Sequence, residues 1–294
     1  MSQPTDLYLT TKELADLLRI KERKVYDLAA SGDVPCVRVV GKLLFPRTEI
    51  EAWMTAAKSG PTTRAEVSAV FAGSHDPLLE WALRESGCGI AAMFDGSFDG
   101  LKRFSDGQAL ACGLHIHEAD GWNLTTVQHA VGDRPVVMIG FAERQRGLIV
   151  AKNDVRRITG IGDLIGRSFA RRQDSSASHQ LFKALATAEG VDPSHLTGPQ
   201  TAARTEDDVG LMVLEGQADA ALGLAGVAAR LGLGFVPLLT ERFDLLVWRH
   251  AYFEPPFQAL LAFFRSGAFR TKATGLAGYD ISDIGVLRLN GAAR

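Results

Sequence analysis

Apolar residues recur along this chain with two different periods, and the changes of period divide it. Leu14, Leu17 and Leu18, then Val25, Leu28 and Ala29, fall at helical spacing and predict two short helices separated at Arg19, Ile20 and Lys21. Their ends are legible as well: Thr10 with Glu13 forms a capping-box pattern, Leu9 can staple to Leu14, and Gly32 suits the end of the second helix. VPCVRVVGKLLFP reads as two β-rich runs turning at Gly41 and Lys42. Thr48 with Glu51 then repeats the capping-box pattern for a third helix carrying Ile50, Trp53 and Met54. Two tightly joined helices followed by a hairpin predict a winged helix-turn-helix over residues 1–57. The stretch KSGPTTRAE, residues 58–66, has no period and reads as a linker.

From Val67 to residue 294, β-rich runs alternate with helical patterns, which predicts an α/β domain. VSAVFAG leads through Ser74, His75 and Pro77 into a helix with Leu78, Leu79, Ala82 and Leu83 on one face. GIAAMF leads through Ser97 into another, and QALACGLHIHE returns as one strand ending in His115 and His117. ARRQDSSASHQLFKAL places Ser175, Ser176 and Ser178 at the start of a helix that buries Leu181, Phe182, Leu185 and Ala186. FQALLAFFRSGAFRTKATGLAGYD predicts a helix pair packing back on the first lobe. Three strand-to-helix junctions thus bring serines and unpaired NH groups to the carboxyl ends of strands, where open α/β sheets bind ligands. Together they suggest one pocket for an oxyanion or carboxylate, with Arg171 or Arg172 adding charge. Ordinary capping by Asp174 or a serine is the competing reading. Asp219, just before Gly223, fits either a turn or a contact with the ligand or the arginines across the cleft.

Composition narrows the partners. With 294 residues, 46% of them hydrophobic, the chain has room for two or three cored domains, and a formal charge of −2 requires any nucleic-acid contact to come from a local patch. Such a patch exists: from residue 19 to residue 47, seven basic residues stand against three acidic ones, a net +4. Lys21, Arg23, Lys24 and Tyr26 on the second helix, Arg38 and Lys42 on the wing, and Arg47 form the expected DNA-contacting set. Cys36, Cys88 and Cys112 share no close spacing and fit neither a disulfide framework nor a zinc ribbon. No leader-like start is present, and the apolar stretch from Ala220 to Leu239 is interrupted by Arg230 and Pro237, so a cytoplasmic protein with no membrane contact is expected. His115, His117 and Glu118 share enough spacing for a metal cluster, yet no cysteine joins them, and strand-end histidines with no metal and no cofactor are expected. Ser74 and His75 are too close in sequence to imply a triad, and neither a nucleophile elbow nor a nucleotide fingerprint occurs, so no enzyme is expected.

The segment YLTTKELADLLRIKERKVYDLAASGDVPCVRVVGKLLFPRTEIEAWM resembles the excisionase-like, MerR-related helix-turn-helix domains, which implies winged DNA binding. Downstream, GSHDPLLEWAL, GSFDGLKRFSDGQALACGLH, RQRGLIV, RRQDSSASH, ADAALGLA, FVPLLTERFDLLV and the late GYD resemble the periplasmic-binding-protein-like substrate domains of cytoplasmic regulators and molybdopterin-related fusions. This second resemblance implies two lobes joined by crossing strands, one near residues 67–150 and 240–294, the other near 151–239, with a ligand clamped between them. It also implies that Ser74, His75, Ser97, His115, Arg172, Gln173, Ser176 and Ser178 line the cleft, and that molybdate or tungstate is the effector. A one-component regulator bound to operator DNA as a homodimer is the expected function. Two alternatives stay open: a cytoplasmic enzyme or binding protein for a pterin-like or carboxylate molecule, and an architectural DNA-binding protein with a ligand-blind second domain.

Overall fold

In the computed structural model, which describes residues 7–56 and 68–292, the first helix begins at its predicted cap. Thr10 closes a short strand, β1 (Tyr8–Thr10); its hydroxyl accepts from Glu13 N at 3.3 Å and its own N donates to the Glu13 carboxylate at 2.7 Å. Helix α1 (Thr11–Leu18) ends at Arg19 in the left-handed region, and α2 (Glu22–Ser31) ends at Gly32, φ 77°. Strands β2 (Val37–Val39) and β3 (Lys42–Pro46) form a hairpin, with β1 pairing on the far side of β3, and α3 (Arg47–Ala56) follows. Leu9, Leu14, Val25, Phe45 and Ile50 form the core of this unit.

Two expectations change here. Helix α3 starts at Arg47, whose N donates to Leu7 O at 3.0 Å, so Thr48 lies inside the first turn and does not precede it as a cap. Leu17 is 44% exposed and only Leu14 of the expected α1 face is fully enclosed, because eight residues against so small a sheet bury a narrow stripe. The predicted linker at 58–66 lies outside the described residues.

The chain divides into two compact units between Glu66 and Val67. In the second, β4 (Val70–Gly73) leads into α4 (Pro77–Glu85), where Asp76 caps the helix by accepting from Leu79 N at 2.7 Å and Pro77 occupies the first turn. Then come β5 (Ala91–Phe94), α5 (Ser97–Ser105), β6 (Ala111–Leu114), the small hairpin β7 (His117–Glu118) and β8 (Gly121–Trp122), and α6 (Leu124–Val131). The long β9 (Val136–Val150) is followed by β10 (Phe169–Ala170), α7 (Ala177–Ala188), α8 (Glu206–Leu214), β11 (Ala220–Leu224) and α9 (Ala225–Leu231). Finally β12 (Gly234–Trp248) returns, and α10 (Arg249–Tyr252), α11 (Pro255–Phe264), α12 (Gly267–Thr274), β13 (Tyr279–Asp280) and β14 (Leu287–Asn290) complete the order.

The sheet runs β10-β11-β9-β12-β6-β4-β5, with β13 and β14 also on β9. Strands β9 and β12 pair antiparallel from Val136↔Trp248 to Val150↔Gly234, so one pair of 15-residue strands serves two lobes. Around one end, β4, β5 and β6 and the helix pair α11 and α12 share a core with Phe71, Leu78, Phe104, Phe257 and Phe269. Around the other, β10 and β11 carry a core with Phe169, Leu181, Phe182 and Leu222 on one side and one with Ile149, Val209 and Val227 on the other.

The predicted strand through His117 is interrupted. Buried Asn123, held at φ 65°, accepts from Ile116 N at 2.6 Å and donates to Leu114 O at 3.3 Å, which ends β6 and turns the chain into the hairpin. Helix α5 sits against the end of β4 at Gly100, where an added Cβ would fall 2.2 Å from Gly73 Cα. We expect Gly100→Ala to cost about 1–3 kcal/mol, read as a lower urea midpoint with an unchanged m-value. Among the described residues, no helix is long and apolar enough to cross a membrane.

Candidate functional site

The first residues of α4, α5, α7 and α8 meet over the middle of β9 and β12. Strand alternation decides which charges enter: on β9, Arg144 and Arg146 point inward while Glu143 and Gln145 stay exposed, and on β12 Glu241 stands opposite Arg144. Arg144 donates to Asp76 at 2.7 Å and to Glu241, and its guanidinium lies 4.3 Å over the Phe243 ring. Arg146 donates to Glu241 through Nε at 2.6 Å and Nη2 at 2.8 Å, to both Glu206 oxygens at 3.2 and 3.1 Å, and to Ser178 Oγ at 3.3 Å. Arg172 adds a donor to Glu206 at 2.9 Å, and the Tyr279 hydroxyl donates to Asp76 at 2.7 Å. Three guanidiniums and three carboxylates, all buried, formally sum to zero.

Burial opposes charge at Glu206, but Arg146, Arg172 and Arg144 outweigh it and bring its pKa down to about 2. Burial likewise opposes ionisation of Glu241, and Arg144, Arg146 and His115 hold its pKa well below the usual carboxylate range. The sign of the pH dependence follows. Carboxylates that titrate near 4.3 when unfolded and lower when folded stabilise the protein fully above that value. They lose their contribution as pH falls toward about 2 for Glu206. We expect the urea midpoint to fall from pH 5 to pH 3, and to fall less steeply in Glu206→Gln.

Ser74 Oγ lies 2.8 Å from His115 Nε2, and His115 Nδ1 lies 3.0 Å from Glu241 Oε2. Since Glu241 is ionised, Nδ1 carries the proton and Nε2 accepts from the Ser74 hydroxyl. Ser74 therefore offers acceptors, not a donor, to anything beside it. Burial pushes the His115 pKa down, and Arg146 and Arg144 add to that against the pull of Glu241, so this imidazole is a weak base. His115 N donates to Ser97 Oγ at 3.2 Å, leaving the Ser97 hydroxyl proton free of that bond.

Ser74, His75, Ser97, His115, Arg172 and Ser178 are thus brought together. His75 Nδ1 accepts from Glu206 N at 3.4 Å, a contact between lobes. Ser176 caps α7, accepting from His179 N at 3.1 Å, and its Cα faces Gly96 of the β5–α5 turn. Gln173 is half-buried and donates at 3.5 Å to Asp95, which also accepts from Arg204 at 2.8 Å, so two side chains of one lobe hold the rim of the other. Asp174 and Ser175 are exposed. Asp219 is not brought to the cluster: it lies roughly 17 Å along β11 from the position paired with Arg146, and its carboxylate accepts from Ser168 N and Oγ at 2.7 and 2.9 Å. His117 is exposed on the hairpin and packs edge-on against Trp122, while both nitrogens of His115 are already engaged. Beside the cluster, a space of about 70 Å³ lies between Phe98 and Ile116 on one lobe and Ala177 and Leu181 on the other. Ligand pockets usually exceed about 300 Å³, and this space is well below that size.

Asp76, Arg144, Arg146, Glu206, Glu241 and Tyr279 were not among the expected site residues. Their signal was present for the strands: ERQRG and ERFD place charges inside otherwise apolar runs, which marks buried ions. Glu206 carries no such mark, since TEDD reads simply as the capping box that Thr205 and Asp208 do form.

In the first unit, Lys21 is exposed just before α2, Arg23, Lys24 and Tyr26 are exposed on it, Arg38 and Lys42 on the hairpin, and Arg47 is half-buried at the start of α3. A groove of about 670 Å³ brings Tyr26, Arg38 and Lys42 together with Thr10, Thr11 and Lys12. Lys12 was not anticipated. Lys21, Arg23, Lys24 and Arg47 do not line this groove.

A family model described as a PBP superfamily domain matches residues 80–265, and one described as a helix-turn-helix domain matches residues 8–58. YvgK of Bacillus subtilis (strain 168), itself uncharacterized, is 25% identical over 295 residues, covering 92% of this chain and 94% of that one. An uncharacterized protein in the ferredoxin 2Fe-2S gene 5′ region of Clostridium pasteurianum is 30% identical over 97 residues, 33% of this chain and 86% of its own. A Clostridium perfringens substrate-binding protein assigned to phosphate ABC transport, solved with bound phosphate, superposes with a TM-score of 0.51 at 13% identity. The match covers 70% of this chain and 96% of that one, and the likeness is one of fold.

Proposed function

Because this chain belongs to the PBP superfamily and carries a helix-turn-helix domain ahead of that match, we propose that it is a cytoplasmic one-component transcriptional regulator. In this reading a homodimer holds operator DNA, and a small anionic effector enters between the two lobes and changes DNA affinity. The observation that carries the ligand class is the convergence of Arg144, Arg146 and Arg172 with four helix starts on one enclosed point. Molybdate and tungstate, favoured by the sequence resemblance, would satisfy those donors. Ser74 adds a preference for a ligand that also carries an O–H or N–H, because its free positions accept.

Thermal unfolding with molybdate, tungstate, sulfate, phosphate or acetate at constant ionic strength tests the ligand class. A ligand at 100 times its Kd adds about 2.7 kcal/mol of stability, and we expect at least one anion to raise Tm. No rise with any of the five would move the effector out of the small anions.

The Ser74–His115–Glu241 relay is the one feature that favours catalysis instead. We read it as a binding device, since burial, and after it the two guanidiniums that hold Glu241, suppress the basicity of His115. Accordingly, a serine-reactive fluorophosphonate should not label Ser74; labelling lost in Ser74→Ala would support an enzyme.

A further inference from the structure

We propose that the Glu206 carboxylate is a resident anion, occupying the arginine and serine site that the anionic group of the effector takes, so that effector binding exchanges one anion for another. This rests on reading the cleft as the effector site. The carboxylate has the surroundings of a bound ligand: two donors from Arg146, one from Arg172 and the Ser178 hydroxyl at 3.3 Å, with no exposure to solvent. These groups come from three separate elements, the crossing strand β9, the segment after β10 and the start of α7. They form a site for one carboxylate-shaped anion.

Charge separates exchange from simple addition. The cluster formally sums to zero with Glu206 in place, and a further anion added to it would be enclosed without compensation. If Glu206 leaves as the effector enters, the balance for a monoanion is unchanged. Glu206 is able to leave. It is the first residue of α8, where a change of rotamer turns the side chain outward without unwinding the helix, whereas Glu241 lies mid-strand on β12, paired with Arg144 of β9.

The site also lies where the lobes meet. The Glu206 backbone N donates to His75 of the opposite lobe, so the residue that yields the anion site also touches across the cleft. The carboxylate and that backbone contact belong to one residue, which places exchange at the site directly beside a junction of the lobes.

Chemical rescue tests this without knowledge of the natural effector. In the full chain, Glu206→Ala should lose several degrees in Tm, and formate or acetate should restore most of that loss, while acetamide or chloride at equal concentration should not. Wild type should show a much smaller response to formate. If Glu206→Ala does not fold, Glu206→Ser, which also vacates the carboxylate's space and leaves the cluster formally at +1, carries the same comparison. Equal response of the variant to formate, acetamide and chloride would overturn the proposal. So would a formate response in the variant no larger than in wild type. The two readings fail separately. Absence of rescue alongside an anion that still shifts wild-type DNA affinity would remove the resident anion and leave the regulator. Rescue without any effect of anions on DNA binding would do the reverse.

Discussion

Glu241→Gln is expected to remove about 3–5 kcal/mol of stability, as breaking a buried ion pair by one partner does. Glu241 is fully enclosed and accepts from Arg144, from Arg146 twice and from His115. The neutral amide keeps the volume but presents an NH₂ group to guanidiniums, and it leaves the two arginines that cross between the lobes with one fewer negative charge. Glu143 provides the control, since it is exposed one residue from Arg144 on the opposite face of β9. Glu143→Gln should change stability by less than about 0.5 kcal/mol. Urea denaturation of both variants at pH 7 reads the difference. A Glu241→Gln midpoint equal to wild type would mean that the charged cluster does not hold the two-lobed unit together.

The second large effect concerns DNA. Lys24 is exposed on α2 and Lys42 at the hairpin turn, from which a winged helix-turn-helix reaches the groove and the neighbouring backbone. Reversing both, as Lys24→Glu with Lys42→Glu, should weaken binding to DNA selected by the wild-type protein about 100-fold or more, and lower the slope of log Kd against log salt by roughly 2. Neither substitution touches a buried residue, so Tm should stay close to that of wild type. Lys183→Glu, an equally exposed charge reversal on α7, should leave DNA affinity within about twofold if the N-terminal patch carries the contact.

Elements with a period or a cap in the sequence could be read from it. The Thr10 capping box, the Gly32 stop, the Pro77 helix start and the apolar face of α4 all follow from local rules that tertiary packing did not override. What escaped was non-local. Strand β1 is three residues long and exists because β3 pairs with it, and the single strand expected through His117 is cut by an Asn123 side chain nine residues beyond its last paired residue. The site divides in the same way. The serines and His115 lie at strand and helix ends, where the sequence shows them, whereas Arg144 with Glu241 and Arg146 with Glu206 become partners only after β9 and β12 cross and α8 docks. The sequence pattern had suggested a pocket of largely neutral donors. Burial of three arginines with three carboxylates makes it a balanced ionic cluster, whose pairings no local pattern in the sequence announces.

The most direct test of a ligand-responsive regulator is the affinity of the full chain for its selected DNA, measured by fluorescence anisotropy with and without molybdate, tungstate, phosphate, sulfate or acetate at fixed ionic strength. Couplings of roughly 1–3 kcal/mol predict a change in Kd of about 5-fold to 150-fold with at least one of them. The same change should be diminished in Arg146→Met, which removes the guanidinium shared by Glu206 and Glu241. A Kd that stays constant across all five anions, for a protein that does bind DNA, would contradict the link between cleft and operator.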